Sequence, residues 1–146
     1  MVADSRTSRG LDVYAELRGE AAAARMSQSL DGPESFSQPM SELATAFAFG
    51  SVWARQGLGR RERSLATIGA LVALRQPDEL RKHVEIGIRN GLTVTEIRET
   101  LLQLTPYAGF PAVATAMEAA LTALRGLGLD PDELAGGDPA SSAQEP

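Results

Sequence analysis

Pro77-Asp78-Glu79-Leu80-Arg81-Lys82-His83-Val84-Glu85-Ile86-Gly87-Ile88-Arg89-Asn90-Gly91 decides the fold class. At 100° per residue, Leu80, His83, Val84 and Gly87 fall on one face, which is the spacing of an amphipathic helix. Gly91 closes it in the usual C-terminal glycine position. Downstream, Thr93-Val94-Thr95-Glu96 is a capping-box pattern that opens a fifth helix, which ends near Tyr107-Ala108-Gly109. A sixth runs from Pro111 in its first turn to Leu124, stopped by Gly126 and Gly128. Upstream, a third helix over about 60–75 is apolar on almost every face after its first turn, as expected of a helix buried on all sides. Gln56-Gly57-Leu58-Gly59 is a loop. A second helix runs from about Ser37, an N-cap residue with Pro39 in the first turn, to Trp53. Asp31-Gly32-Pro33 separates it from a first helix at about 10–28. No strand pattern survives beside the helical one. The expectation is an all-α domain of about six helices over 1–128, followed by a disordered acidic tail over 129–146.

The 146 residues are enough for one domain with a real core, and the 43% hydrophobic content is that of a globule. No apolar run is long enough to span a bilayer, and Met1 to Arg9 is polar without a signal-like stretch, so a cytoplasmic protein without a membrane partner is expected. The net charge of −5 is unevenly distributed. Residues 127–146 carry Asp130, Asp132, Glu133, Asp138 and Glu145 and no basic residue; the rest is neutral, with 14 basic side chains and as many acidic ones. A neutral body with no basic stripe argues against nucleic acid as a partner.

The chain has no cysteine and one histidine. Thiol chemistry is therefore excluded. If the protein moves protons near neutral pH, His83 is the side chain whose ordinary pKa suits the task. Glu79, one turn earlier on the same edge, can fix the imidazole tautomer; equally, His83 is a half-buried histidine satisfied by Glu79 with no further role. One histidine among scattered carboxylates makes a poor transition-metal site, so no metal is expected.

Two further groups stand out. Arg60, Arg61 and Arg63 occupy the first turn of the third helix, with Arg55 just before it. The positive end of the helix dipole disfavours cations there by about 0.3–1 kcal/mol each, yet suits an anion, which meets backbone N–H groups and guanidinium forks together. A ligand with one or two carboxylates fits; surface arginines paired with Glu62 fit as well. On the fifth helix, Glu96, Glu99, Gln103 and Tyr107 share one sector and Val94, Ile97, Leu101 and Leu104 the opposite one. Such a stripe lines a pocket, faces water or makes a subunit contact. Trp53 is either a core anchor or a platform for a ligand.

The string Ser51-Val52-Trp53-Ala54-Arg55-Gln56-Gly57-Leu58-Gly59-Arg60-Arg61-Glu62-Arg63-Ser64-Leu65 resembles the carboxymuconolactone decarboxylase family. So do Glu79-Leu80-Arg81-Lys82-His83 and the run from Asn90-Gly91 through Glu96-Ile97-Arg98-Glu99 and Leu101-Leu102-Gln103 to Tyr107-Ala108-Gly109-Phe110-Pro111-Ala112. The order and spacing fit the decarboxylase branch and cover about residues 9–125. The resemblance implies an AhpD-like helical fold assembled as a homo-oligomer, usually a hexamer. It also implies cofactor-free loss of CO2 from 4-carboxymuconolactone to give 3-oxoadipate enol-lactone, a step of aromatic catabolism. The cysteine pair of the related peroxidase branch is missing.

On this resemblance, His83 with Glu79 is the acid that reprotonates carbon, and Tyr107 or Gln103 hydrogen-bonds the lactone oxygen. Arg55, Arg60 and Arg61 hold substrate carboxylates, beside Trp53 and Glu99. No cofactor is required, because the lactone carries its own electron sink. The chain departs from the family pattern at Gln56, Gly59 and Ala114, where Pro, Asp and Asn are usual. With Ala108 and Phe110, Ala114 makes a more apolar pocket, which suits a paralogue acting on a larger or less polar lactone or keto acid by decarboxylation, isomerisation or cyclisation. A non-catalytic ligand-binding oligomer is the reading from a different class.

Overall fold

A computed structural model describes residues 4–132. Among them every regular element is helical: α1 (Ser5–Arg18), α2 (Glu20–Asp31), α3 (Gln38–Leu43) running on as a π-helix (Ala44–Trp53), α4 (Arg60–Ala73), α5 (Pro77–Arg89), α6 (Val94–Gln103), α7 (Thr105–Ala108) and α8 (Phe110–Gly126). The all-α class stands, with finer division than six helices. The single helix expected over 10–28 is broken at Gly19, whose φ of 92° lies in the region open to glycine. The helix expected to end near Tyr107 stops at Gln103, because Pro106 has no N–H to continue the ladder and starts α7 instead. Ser37 stands at the N-cap of α3, although its side chain makes no cap bond.

The chain groups into two compact units that divide after Arg63. In the first, α1 packs along the π-helix and α2 against α1 and α3. The approach of α1 to the π-helix depends on two glycines. A Cβ on Gly10 would lie 2.0 Å from the Thr45 carbonyl oxygen, and one on Gly50 would lie 2.1 Å from that of Arg6. Only glycine allows backbones so close. Tyr14 and Phe49 add an edge-to-face ring contact at 4.8 Å. Widened turns register in the bonds: Ala54 N–H reaches the Phe49 carbonyl, five residues back.

In the second unit, α8 is the centre. Its face of Ala112, Ala116, Ala119, Ala120 and Ala123 is buried, and these small side chains let α5 and α6 lie close against it. Ile68 and Val72 of α4, Leu80 and Val84 of α5, and Ile97 and Leu101 of α6 complete the core. α4 is not buried on all sides, contrary to expectation: only Ser64, Ile68 and Val72 are buried, four residues apart, and Ala66, Ala70 and Leu74 are exposed. A four-residue repeat makes one seam, and its apolar content alone gave no information about the other faces.

Three helices of this unit end in the same way. The cap residue at 75, 91 or 128 donates to the carbonyl three residues back, and the residue after it donates to the carbonyl five back. This is the Schellman arrangement, which puts its first residue in the left-handed region. Two of these positions are Gly91 (φ 90°) and Gly128 (φ 72°); the third is Arg75 (φ 56°). For an L-residue that conformation costs about 1 kcal/mol.

The acidic tail begins within the described residues. Leu129 packs against the core, and Arg125 Nε and Nη2 bond Asp130 and Asp132 at 2.8 and 3.2 Å. The remainder of the expected tail, 133–146, lies outside the described residues. Among the described residues, no helix is long and apolar enough to cross a membrane.

Candidate active site

α5 carries the histidine. Pro77 begins the helix, where its missing N–H costs nothing, and Asp78 and Glu79 sit at the positive end of the dipole. Its inner face is Leu80, Val84 and Gly87, all buried. His83 lies at the edge of that face, half-buried, with Nδ1 shielded from solvent. A Cβ on Gly87 would lie 3.0 Å from Leu92 Cδ1 and 3.6 Å from Ile68 Cδ1, so the glycine one turn after His83 lets its neighbours close in. Asn90, at the C-cap, donates from Nδ2 to Ser64 Oγ on α4 at 2.9 Å, and Ser64 is fully buried. That bond ties the histidine's helix to α4. Glu79 is exposed, and its Oε1 pairs with Lys82 Nζ at 2.6 Å.

The capping box of α6 is present in both directions: Glu96 N–H donates to Thr93 Oγ1, and Thr93 N–H donates to Glu96 Oε2 at 2.8 Å. It sets the helix phase, so that Ile97 and Leu101 are buried while Glu99 and Gln103 are exposed. Glu99 lies beside Arg98, 3.7 Å from its Nε. Tyr107, on α7, is 79% exposed, as is Phe110. Glu99, Gln103 and Tyr107 therefore lie on the surface of this unit. The histidine and the tyrosine are also absent from the linings of the unit's described clefts. One of about 170 Å³ lies between the α4–α5 elbow and the start of α8. Another, of about 190 Å³, lies between α6 and the rest of α8.

The arginine group belongs to the first unit. α4 opens at Arg60, as the sequence indicated, and the Gly59 carbonyl accepts its first bond, from Arg63 N–H. Glu62 folds back over Gly59, where a Cβ would meet Glu62 Oε2 at 2.2 Å. Arg60 Nη2 bonds Glu16 Oε2 of α1 at 2.9 Å, so part of its charge is answered inside the protein. Arg55 is exposed, Arg61 half-buried, and Trp53 buried at the end of the π-helix as an anchor. Arg63, read with this group as a possible anion contact, turns its guanidinium to the backbone: Nε and Nη2 donate to the carbonyls of Leu58 and Arg55, both at 3.1 Å, which closes the loop. The Ser64–Asn90 bond was missed; no spacing rule pairs residues so far apart in sequence.

Among the described residues, no cluster of three or more His, Asp or Glu could hold a metal ion. Chemically, the second unit offers one imidazole, half-shielded on a rigid helix, with carboxylates and cations on its wet side. The first offers several guanidinium groups at the positive end of a helix.

Comparison with known proteins adds to this geometry. The model of the Carboxymuconolactone decarboxylase family matches residues 38–122, which include the arginine group, His83 and Tyr107. A 4-carboxymuconolactone decarboxylase of Acinetobacter baylyi is 38% identical over 131 residues, covering 90% of this chain and 96% of the relative. A nitrosuccinic acid decarboxylase of Metarhizium robertsii is 43% identical over 82 residues, 56% of this chain and 57% of its own. An uncharacterised 15.0 kDa protein of Paracoccus denitrificans is 40% identical over 75 residues, 49% of this chain and 55% of its own.

Proposed function

Because the chain belongs to the carboxymuconolactone decarboxylase family, we propose that it is a carboxy-lyase that converts 4-carboxymuconolactone to 3-oxoadipate enol-lactone and CO2 without a cofactor. The observation that carries this reading is the 38% identity with a 4-carboxymuconolactone decarboxylase over nearly the whole of both chains.

The chemistry follows from the substrate. The C–C bond to the carboxylate breaks, CO2 leaves, and the electron pair delocalises through the ring double bond to the lactone oxygen as a dienolate. A proton delivered to carbon completes the reaction. His83 is the proposed donor and regains its proton from water; Glu79 is the proposed orienting group. Tyr107 and Gln103, with Glu99 beside them, are the proposed contacts for the lactone oxygen, where negative charge develops. Arg55, Arg60 and Arg61 are proposed to recognise carboxylates, with Trp53 packed before them. Replacing His83 with Ala is expected to lower kcat by at least about 100-fold, the usual contribution of a positioned acid, with the helical circular dichroism unchanged. Retained turnover would remove His83 from the reaction. Substituting Arg55 or Arg61 by Gln is expected to raise KM more than it lowers kcat.

A second reading is favoured by the nitrosuccinic acid decarboxylase. A nitro group, like a conjugated lactone, accepts the electrons released with CO2, so the shared requirement is a carboxylate attached to a built-in electron sink. Consumption of nitrosuccinate but not of the lactone would select this reading and leave the role of His83 standing.

Self-association belongs to the proposal. Met40, Leu43 and Phe47, at helical spacing, are 63–70% exposed, and Leu74, Tyr107 and Phe110 are 67–79% exposed. So much exposed apolar surface suits a subunit contact. Light scattering should report a multiple of 15.4 kDa; a mass of 15.4 kDa at micromolar concentration would contradict it.

A further inference from the structure

We propose that the cleft at the α4–α5 elbow is a binding site for a small aromatic carboxylate held by Arg75, independent of the reading of His83. Three observations converge on it. The first is its shape and chemistry. Val72, Leu80, Ala112 and Ala116 form an apolar floor, and Arg75 is the only charged residue in the lining. An apolar cavity of about 150 Å³ accommodates benzene, so a cleft of about 170 Å³ takes one ring with a short polar group.

The second is the backbone at Arg75. Of the three Schellman caps in this unit, two are closed by glycine, whereas Arg75 adopts the same left-handed conformation with a side chain. Glycine there would be free of strain. An arginine kept in a strained cap at the mouth of a cleft is an outlier from which a function is to be inferred. Third, among the described residues no carboxylate pairs with the Arg75 guanidinium, whereas Arg60, Arg81 and Arg125 each bond an acid. A guanidinium beside apolar walls matches the flat, two-oxygen face of a carboxylate.

One further polar group in the lining suits an anion. Gln76 Nε2 has one proton engaged with the Leu74 carbonyl at 3.5 Å and a second to donate. Thr115 spends its hydroxyl proton on the Pro111 carbonyl at 3.1 Å and so offers the carboxylate no donor. The ring therefore lies over Leu80 and Ala116, and the carboxylate turns toward Arg75 and Gln76.

Benzoate is the probe, and benzyl alcohol the uncharged control of the same size. Titrating each into the full-length, nitrogen-labelled protein, we expect benzoate to saturate and to shift the amides of Val72, Leu80, Ala112 and Ala116. Benzyl alcohol should bind at least tenfold more weakly. Arg75→Gln should weaken benzoate at least tenfold, and Arg89→Gln, an exposed arginine elsewhere on α5, should leave it unchanged. Arg75→Gly should lose benzoate binding while melting no lower than the parent, which separates ligand recognition from folding. Unchanged binding in Arg75→Gln, shifts confined to another face, or no saturation at tens of millimolar would each overturn the proposal.

Discussion

Single residues differ in how far the sequence reveals them. His83 is conspicuous because it has no rival, and helical spacing correctly sets it at the edge of a buried face. Arg75 is invisible by the same rules: glycine is the residue that marks a left-handed cap, so Gly91 and Gly128 were legible as stops and Arg75 was not. Ser64 carries no signal in the sequence, although it is fully buried and accepts from Asn90. Replacing Asn90 with Ala leaves that hydroxyl without its donor, and should destabilise the protein by about 1–3 kcal/mol in urea unfolding. Ser64→Ala removes the buried group itself and should cost less, about 1 kcal/mol. Equal stability of Asn90→Ala and the parent would show that the bond contributes nothing.

At the scale of elements, caps were read well; the break at Gly19 and the packing were not. The capping box at Thr93 and Glu96 and the start of α4 at Arg60 stand where the pattern put them, because a cap is a local device. The break at Gly19 is local, a glycine at positive φ inside an Ala-rich pattern, whereas the close contact of α1 with the π-helix after α3 is something no window of sequence contains. That contact makes a sharp prediction. Gly10→Ala and Gly50→Ala each push a methyl into a backbone carbonyl that cannot rotate away, and each should destabilise by about 1–3 kcal/mol or more. Gly57→Ala, with nothing within 4 Å of the new methyl, should be neutral within about 0.5 kcal/mol. The segment after α8 is expected to respond to pH. The Asp132 backbone N–H, and then Arg125, hold the Asp130 carboxyl below the usual carboxylate range. Its folded pKa is depressed, so its contribution is complete above about pH 4 and is lost as pH falls through the lower folded value. The carboxyl carbon of Asp130 should titrate with a midpoint below that of a free aspartate, and the Leu129 methyl signals should move with it. A midpoint at or above the ordinary value would contradict the tether.

For the whole molecule, the sequence conveyed the class and the family, and much less about the site. Period and caps specify helices, and order and spacing of motifs specify relatives, because both are written along the chain. Which faces meet is not. α4, read as buried on every side, has one seam inward, and Tyr107 is exposed. Exposed apolar residues in both units accord with the self-association proposed above. The most direct test of the central claim is CO2 release from 4-carboxymuconolactone by the parent protein and by His83→Ala, measured in one assay at equal concentration. The account predicts one CO2 per lactone consumed by the parent and a rate at least about 100-fold lower in the variant. No CO2 from the parent, or equal rates from the two proteins, would contradict it.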